Sequence, residues 1–326
     1  LNDDLLSCKE NILKEIKDTV GSSIFYIAFS GGMDSTVAAC LAKEALGTEK
    51  VRLVHFSFGP YTYTQTSINV VSIAKKLSLP LEVIDKQKEL ELISKYGPSC
   101  NRCTRRVKVD GMYRLVKNEN SAWIGSGSNQ SDTWGQYGIK VHQRCYSPIF
   151  DLDKPQISRL LAYYQFDYRE VRAGESNVRE GCKLKHLMKG LIVPRFHGKA
   201  VCHSNELLLS TLTEYHYSAR FANVKIIGPL RRNVALVNIS PLPSKEIREK
   251  IRDNLREVRE IDSIHIVDKP ITLIIKANPG LCRSPHARYW IENGKVQPEF
   301  AQQVSFEWSE TPNRSVRSYQ VIDFKE

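Results

Sequence analysis

The stretch Ser30-Gly31-Gly32-Met33-Asp34-Ser35 constrains this chain more than any other part of it. It follows an apolar β-type run, Ile24-Phe25-Tyr26-Ile27-Ala28-Phe29, and opens directly into a helix-like run from Thr36 to Leu46. A strand, a Ser/Gly turn and a helix start in that order make an anion site. The N–H groups of the first helical turn point outward there, and the helix dipole favours negative charge. Gly31 and Gly32 let the backbone close around a phosphate with no Cβ in the way. Ser30 and Ser35 add hydroxyl donors. GxxxxGK[ST] is absent, and Gly125-Ser126-Gly127 only approaches GxGxxG. The plainer alternative is an ordinary Ser/Gly turn between a strand and a helix.

The elements around that turn alternate. Strands are expected at 23–29, 51–57, 80–85 and 121–126, and helices at 35–46, 64–78, 87–95 and 104–118. An amphipathic helix over 1–20 precedes them, with Leu5, Ile12 and Ile16 on related faces, and another follows from Pro155 to Gln165. Such alternation predicts an α/β fold, a doubly wound parallel sheet with helices on both faces. Ligands of these sheets sit beyond the carboxyl ends of the strands. The Ser30 loop, Ser57-Phe58-Gly59 and the loop from Gly125 to Asp132 all follow strands and could converge there. Residues 171–200 show no clear period and are rich in Gly, Lys, Arg and His. From about 201 the pattern changes to a helix near 204–220, a β-like run at Val234–Ile239, a helix at 244–260 capped by Ser244, and β-like runs at Ser263–Val267 and Ile271–Ala277. The expected division is a domain over 1–200 and a smaller α+β domain over 201–326.

The chain has 326 residues, 41% of them hydrophobic and 25% charged, an ordinary balance for a globular protein. It holds no run of about 18 apolar residues, so no membrane span and a cytoplasmic location are expected. The net charge of +11 points to a nucleic acid or a polyphosphate-bearing partner; a merely basic surface is the bland reading.

Of the eight cysteines, Cys100 and Cys103 form a CxxC at the head of a basic stretch, with seven Lys or Arg against two acids over 95–119. Cys182 lies in a similarly basic, irregular segment with Lys183, Lys185 and His186. Four readings stay open. Cys100, Cys103 and Cys182 could hold a [4Fe–4S] cluster with one iron open. They could hold zinc, with His186, Cys145 or Cys202 as a fourth ligand. They could be redox-active or persulfide-carrying thiols without a metal. Or they could be unrelated packing residues.

The Ser30–Ser35 hexapeptide resembles the PP-loop of the ATP pyrophosphatase superfamily. Gly127-Ser128-Asn129-Gln130-Ser131-Asp132 resembles the G-[HT]-N-x-x-D loop of PP-loop sulfur transferases. Ser147-Pro148-Ile149-Phe150-Asp151-Leu152-Asp153-Lys154 resembles their later "RPL" segment, and the three cysteines resemble their cluster ligands. The tRNA thiolation enzymes and the sulfur insertase of nickel-pincer nucleotide biosynthesis share this pattern. The tail is more similar to the latter. The chain departs from it at Ser128, where many members have His, and it lacks the paired zinc-finger cysteines of some tRNA enzymes. The Tyr96–Lys108 stretch is also similar to PAPS-reductase relatives.

The resemblance implies an ATP-dependent sulfurtransferase. ATP would lie on Ser30, Gly31, Gly32, Asp34 and Ser35, with Ser57, Gly127, Asn129 and Asp132 completing the nucleotide site and adenine near His55–Phe58. Mg²⁺ would be held by Asp34 or Asp132, and catalysis would involve Asp34, Cys182 and Lys108, with Lys183 or Lys185 as other candidates and solvated surface lysines as the competing reading. The implied partners are RNA (tRNA) or a small anionic nucleotide as acceptor, sulfide or a cysteine desulfurase as sulfur donor, and a second copy in a homodimer. Three other classes remain: an ATP-dependent amide or nitrile ligase, a PAPS-reductase-like oxidoreductase, and a nucleic-acid-binding module that has lost catalysis.

Overall fold

The first half of the chain builds one sheet around strand β1 (Phe25–Ala28). Its other strands are β2 (Val51–Ser57), β3 (Leu81–Asp85), β4 (Trp123–Gly125), β5 (Val141–His142) and β6 (Cys145–Tyr146), in the order β3-β2-β1-β4-β6-β5. The computed structural model describes residues 3–98, 103–117, 119, 121–131, 138–167, 182–314 and 316–326. These fall into two compact units. One is drawn from within Leu1–Ser57, Thr64–Lys86 and Thr104–Gly174, the other from within Phe58–Tyr63, Gln87–Cys103 and Glu175–Glu326.

In the first unit β1 pairs in parallel with both β2 and β4, Phe25 lying opposite Val51 on one side and Trp123 on the other. β6 continues the parallel run and β5 is an antiparallel edge. The chain leaves β1 towards β2 and later returns on the far side as β4. The point between β1 and β4 is therefore the switch point at which doubly wound sheets open a crevice. Strand period decides what each side chain meets. Phe25, Ile27, Val51 and Leu53 enter one core with Ile16, Leu41, Ile73 and Leu160 from helices Asp3–Val20, Met33–Leu46, Thr64–Leu77 and Lys154–Tyr163. Val54, Phe56 and Ile124 face a second core with Met112 and Val116 of helix Asp110–Lys117. Helices thus cover both faces, as the alternating pattern predicts. Each fully buried Leu or Ile here contributes about 1.5–3 kcal/mol. The expected helix over 104–118 differs at its start: Thr104–Val109 is a π-helical turn that passes into the α-helix at Asp110.

The second unit holds two three-stranded sheets. Strands β7 (Phe221–Ile227) and β8 (Val234–Ser240) form a hairpin, and helix Lys245–Arg256 carries the chain to β9 (Ser263–Ile266), which pairs in parallel with β8. The Ser244 hydroxyl caps that helix, accepting from the Ile247 N–H at 3.4 Å. Strand β10 (Ile271–Ala277) is the centre of the other sheet, parallel to β11 (Val304–Glu310) and antiparallel to β12 (Tyr319–Lys325). Leu236, Leu273, Ile275 and Val321 share one core.

The tail therefore contains more than the β-α-β-β order expected from sequence: β7, β11 and β12 are additional. The expected helix at 204–220 lies instead at Lys199–Glu214 and stops at a turn in which His216 adopts a positive φ of 48°. None of the helices among the described residues is long and apolar enough to cross a membrane.

Gly125 ends β4 with no room for a side chain. A Cβ there would lie 2.3 Å from Ile27 Cδ1 and 2.8 Å from Phe25 Cζ, deep in the sheet's core. Gly125→Ala is expected to destabilise the protein by about 1–3 kcal/mol through overpacking, read as a lowered urea midpoint with an unchanged slope.

Candidate active site

The loop after β1 folds upon the hydroxyl of Ser35. Ser35 Oγ accepts from the Ser30 N–H at 3.3 Å, lies 3.1 Å from Ser30 Oγ, and donates to the Gly32 carbonyl at 3.0 Å. Ser30 Oγ accepts from the Gly32 N–H at 3.2 Å, and Thr36 Oγ1 donates to the Gly32 carbonyl at 2.9 Å. Gly31 has φ +69° and packs against Val70, conditions that exclude other residues without strain. Gly32 is the N-cap of helix Met33–Leu46 and offers no capping side chain. The first-turn donors therefore depend on something other than an N-cap side chain.

The loop after β4 meets this helix start. A Cβ on Gly127 would come within 3.1 Å of the Ser35 backbone nitrogen, so any larger residue would have to push the two segments a few tenths of an ångström apart. Asn129 is buried; its amide donates to the Gly127 carbonyl at 3.3 Å and its carbonyl accepts from the Ser131 N–H at 3.0 Å. Ser126 Oγ lies 2.6 Å from Ser147 Oγ, which ties this loop to the segment after β6. That segment leads to Asp153, which caps helix Lys154–Tyr163 in a capping box with Gln156. The next residue, Lys154, reaches Asp34: its Nζ lies 2.8 Å from Oδ1 and 2.6 Å from Oδ2. His55 is also in this unit. Its Nδ1 sits 2.9 Å from the Phe29 carbonyl, and burial, opposed by that bond and aided by Lys108, pushes its pKa down. The ring is neutral, Nδ1 carries the proton it donates to Phe29, and Nε2 is a buried acceptor with no partner among the described residues.

Ser30, Gly31, Gly32, Asp34, Ser35, Gly127 and Asn129 are thus brought together. Ser57 closes β2, its carbonyl accepting from the Lys86 N–H at 2.8 Å. Lys108 is an exposed residue of the π-helical turn. Asp132 and Cys100 lie outside the described residues. Lys154 stands out in the sequence only by its place at the end of the Ser147–Lys154 motif. His55 appears there only as the start of a stretch near adenine, and its unpartnered Nε2 is visible only in the fold.

Cys103 and Cys182 both belong to the second unit and both are half-buried. Cys182 opens the short helix Lys183–His186, in which Lys183 and His186 are buried yet bonded. Lys183 Nζ donates to the Pro60 carbonyl at 3.0 Å and pairs with Glu206 at 2.7 Å. Lys225 Nζ lies 2.7 Å from Glu299 Oε2 and 2.9 Å from His186 Nδ1, and His186 Nε2 lies 2.8 Å from Tyr63 Oη. An ammonium only donates. His186 Nδ1 must therefore accept, its proton sits on Nε2, and Tyr63 Oη accepts that proton. Burial, with Lys225 and Lys185 adding to it, pushes the His186 pKa well below its ordinary value, which agrees with a neutral ring. Burial pushes the Tyr63 hydroxyl well up, and the Cys182 thiol adds to that push. Among the described residues no group of three His, Cys, Asp or Glu could hold a metal ion.

Residues 5–164 match the family model described as NAD synthase. That match covers just under half of the chain and includes the Ser30–Ser35 loop and the helix carrying Lys154. Two curated relatives match over part of their length. One component of the glutamine-hydrolysing GMP synthase of Thermococcus kodakarensis is 28% identical over 166 residues, covering 50% of this chain and 54% of its own. The glutamine-hydrolysing GMP synthase of Petrotoga mobilis is 54% identical over 179 residues, covering 51% of this chain and 35% of its own. The chain therefore spans about half, or less, of the curated relatives it matches. A solved NH3-dependent NAD synthetase from Campylobacter jejuni aligns with TM-score 0.44 and 20% identity, over 52% of this chain and 76% of its own.

The buried ion pair of the second unit gives a pH prediction. Burial raises the Glu299 carboxyl, but Lys225 and Lys185 outweigh it and hold its pKa below the ordinary glutamate value. Its contribution is complete above that ordinary value and is lost as pH falls through the depressed one. Glu299→Gln should cost about 3 kcal/mol at neutral pH, because Lys225 keeps its buried charge. The gap between variant and wild type should narrow on acidification in a series of urea melts.

Proposed function

We propose that this protein is an ATP-dependent enzyme that forms AMP and pyrophosphate by adenylating an oxygen of a small acceptor, whose activated carbon then takes a nucleophile. The observation that carries this reading is the Ser30–Ser35 loop, closed on Ser35 Oγ and facing an N-cap with no side-chain acceptor. Its N–H groups and hydroxyls suit a pyrophosphate. Lys154 adds a cation at the same helix start, and the neutral His55 offers an acceptor for an N–H or O–H of the nucleoside. The Asp34 carboxylate is partly exposed and of the hard oxygen type that Mg²⁺ takes, and Mg²⁺ would compete with Lys154 for it. When bound, that ion would supply further neutralisation of phosphate charge.

In the first step the acceptor oxygen bonds to the α-phosphorus and the bond from that phosphorus to the bridging oxygen breaks, releasing pyrophosphate. In the second a nucleophile bonds to the activated carbon, the C–O bond to AMP breaks, and the nucleophile's proton passes to solvent.

For the nucleophile, the matched relatives favour nitrogen, since both curated ones are named as glutamine-hydrolysing synthases. This reading makes the chain an amide-type ligase acting with ammonia on a small nucleotide-like acceptor. Sulfur remains the second reading, favoured by the two part-exposed thiols of Cys103 and Cys182 in one compact unit. Cys100 lies outside the described residues.

Product analysis tests the first half of the proposal: AMP plus pyrophosphate are expected, and ADP plus phosphate would refute it. Asp34→Ala and Ser35→Ala should each lower pyrophosphate release by about 10²-fold or more. Mass spectrometry of the acceptor after turnover with labelled ammonium or with sulfide decides the nucleophile. A small acceptor predicts a shallow dependence of binding on salt, whereas RNA would give a steep one.

A further inference from the structure

Beyond β10 the chain forms two short helices, Pro279–Cys282 and Pro285–Ile291, and returns as β11 alongside β10 in parallel, with Ala277 opposite Glu310. The carboxyl ends of both strands consequently lie at one end of this sheet, the end at which parallel α/β arrangements take ligands. An open surface hollow of about 530 Å³ occupies that place. Its walls come from the segment after β10, with Asn278 and Pro279, and from the loop after β11, with Thr311, Pro312, Arg314 and Arg317.

The walls are pre-formed. Asn278 donates through Nδ2 to the carbonyls of Arg317, at 3.0 Å, and Ser318, at 3.2 Å, and its Oδ1 accepts from the Leu281 N–H at 3.0 Å. The Thr311 N–H donates to the Ala277 carbonyl at 2.9 Å, the Asn313 N–H to Thr311 Oγ1 at 3.3 Å, and the Val316 N–H to the Asn313 carbonyl at 3.0 Å. The charges do not balance. Glu310, next to the loop, gives both oxygens to Arg283 at 2.6 and 2.8 Å. Arg314 and Arg317 form no ion pair among the described residues; Arg317 lies over the Tyr96 ring at 5.7 Å. Two arginines without carboxylates therefore line a cleft whose remaining walls include two prolines and Val316.

We propose that this cleft binds a small organic phosphate of the nucleoside monophosphate class, its anion on Arg314 and Arg317 and its flat, apolar body against Pro279, Pro312 and Val316. Guanidinium groups pair with phosphate in a directed, charge-assisted way. The site lies wholly within the second unit and does not depend on the reading of the PP-loop.

Equilibrium dialysis with labelled AMP tests it on the full chain. The Ser35→Ala variant, with its PP-loop impaired, should still bind AMP. Combining Ser35→Ala with Arg314→Ala and Arg317→Ala should weaken that site at least tenfold, with an unchanged thermal melt. Pro312→Trp, at an exposed position, should obstruct it independently. Inorganic phosphate should bind at least tenfold more weakly than AMP. The proposal is overturned if Ser35→Ala alone abolishes AMP binding, if both the arginine and Pro312→Trp variants bind as wild type, or if phosphate binds as tightly as AMP.

Discussion

The arrangement at the switch point depends on one buried hydroxyl. Ser35 Oγ accepts from the Ser30 N–H and donates to the Gly32 carbonyl, so both ends of the loop are fixed to a single atom. That closure requires the left-handed turn at Gly31, where Val70 packs against the backbone. It also leaves the helix start bare of capping side chains, so the β4 loop can approach through Gly127 and Lys154 can reach Asp34. Replacing the hydroxyl would remove the loop's shape together with one of its donors.

The second unit handles polar groups differently. It buries Lys183, His186, Lys189 and Lys225 almost completely. Burying a charge costs several kcal/mol unless it is paired and hydrogen-bonded. Lys225 meets Glu299 and His186, Lys183 meets Glu206, and Lys189 places its ammonium among the carbonyls of Pro229, Arg232 and the Asn233 side chain. Burial still pushes Lys189 down to about 8. Such a network fixes directions: Lys225 determines which nitrogen of His186 bears the proton, and His186 determines what Tyr63 receives. Removing one partner of such a network leaves an uncompensated buried charge, which is why each ammonium here is matched by a carboxylate or by carbonyls.

Much of the fold was legible because the first half obeys simple periods. β2 and β10 lie where alternation and apolar runs place them, and Ser244 caps the helix it was expected to cap. The misses have physical causes. β7 reads Phe-Ala-Asn-Val-Lys-Ile-Ile and carries a buried Asn223 and Lys225, so its polar residues conceal a strand that is buried from Ala222 onward. β11 and β12 mix Ser, Glu, Trp, Asp and Lys in half-exposed patterns that look like loop until β10 supplies their partner.

The sequence by itself determined the strand–turn–helix that cradles an anion, because glycines, hydroxyls and a helix start act over a few neighbouring residues. It determined, by the same local chemistry, that helices would cover a parallel sheet. Only the tertiary structure decided that Lys154 binds an aspartate 120 residues earlier and that His186 is neutral and protonated on Nε2. Those outcomes depend on which side chains the packed backbone brings within about 3 Å, the reach of a hydrogen bond, and no spacing along the chain encodes that distance.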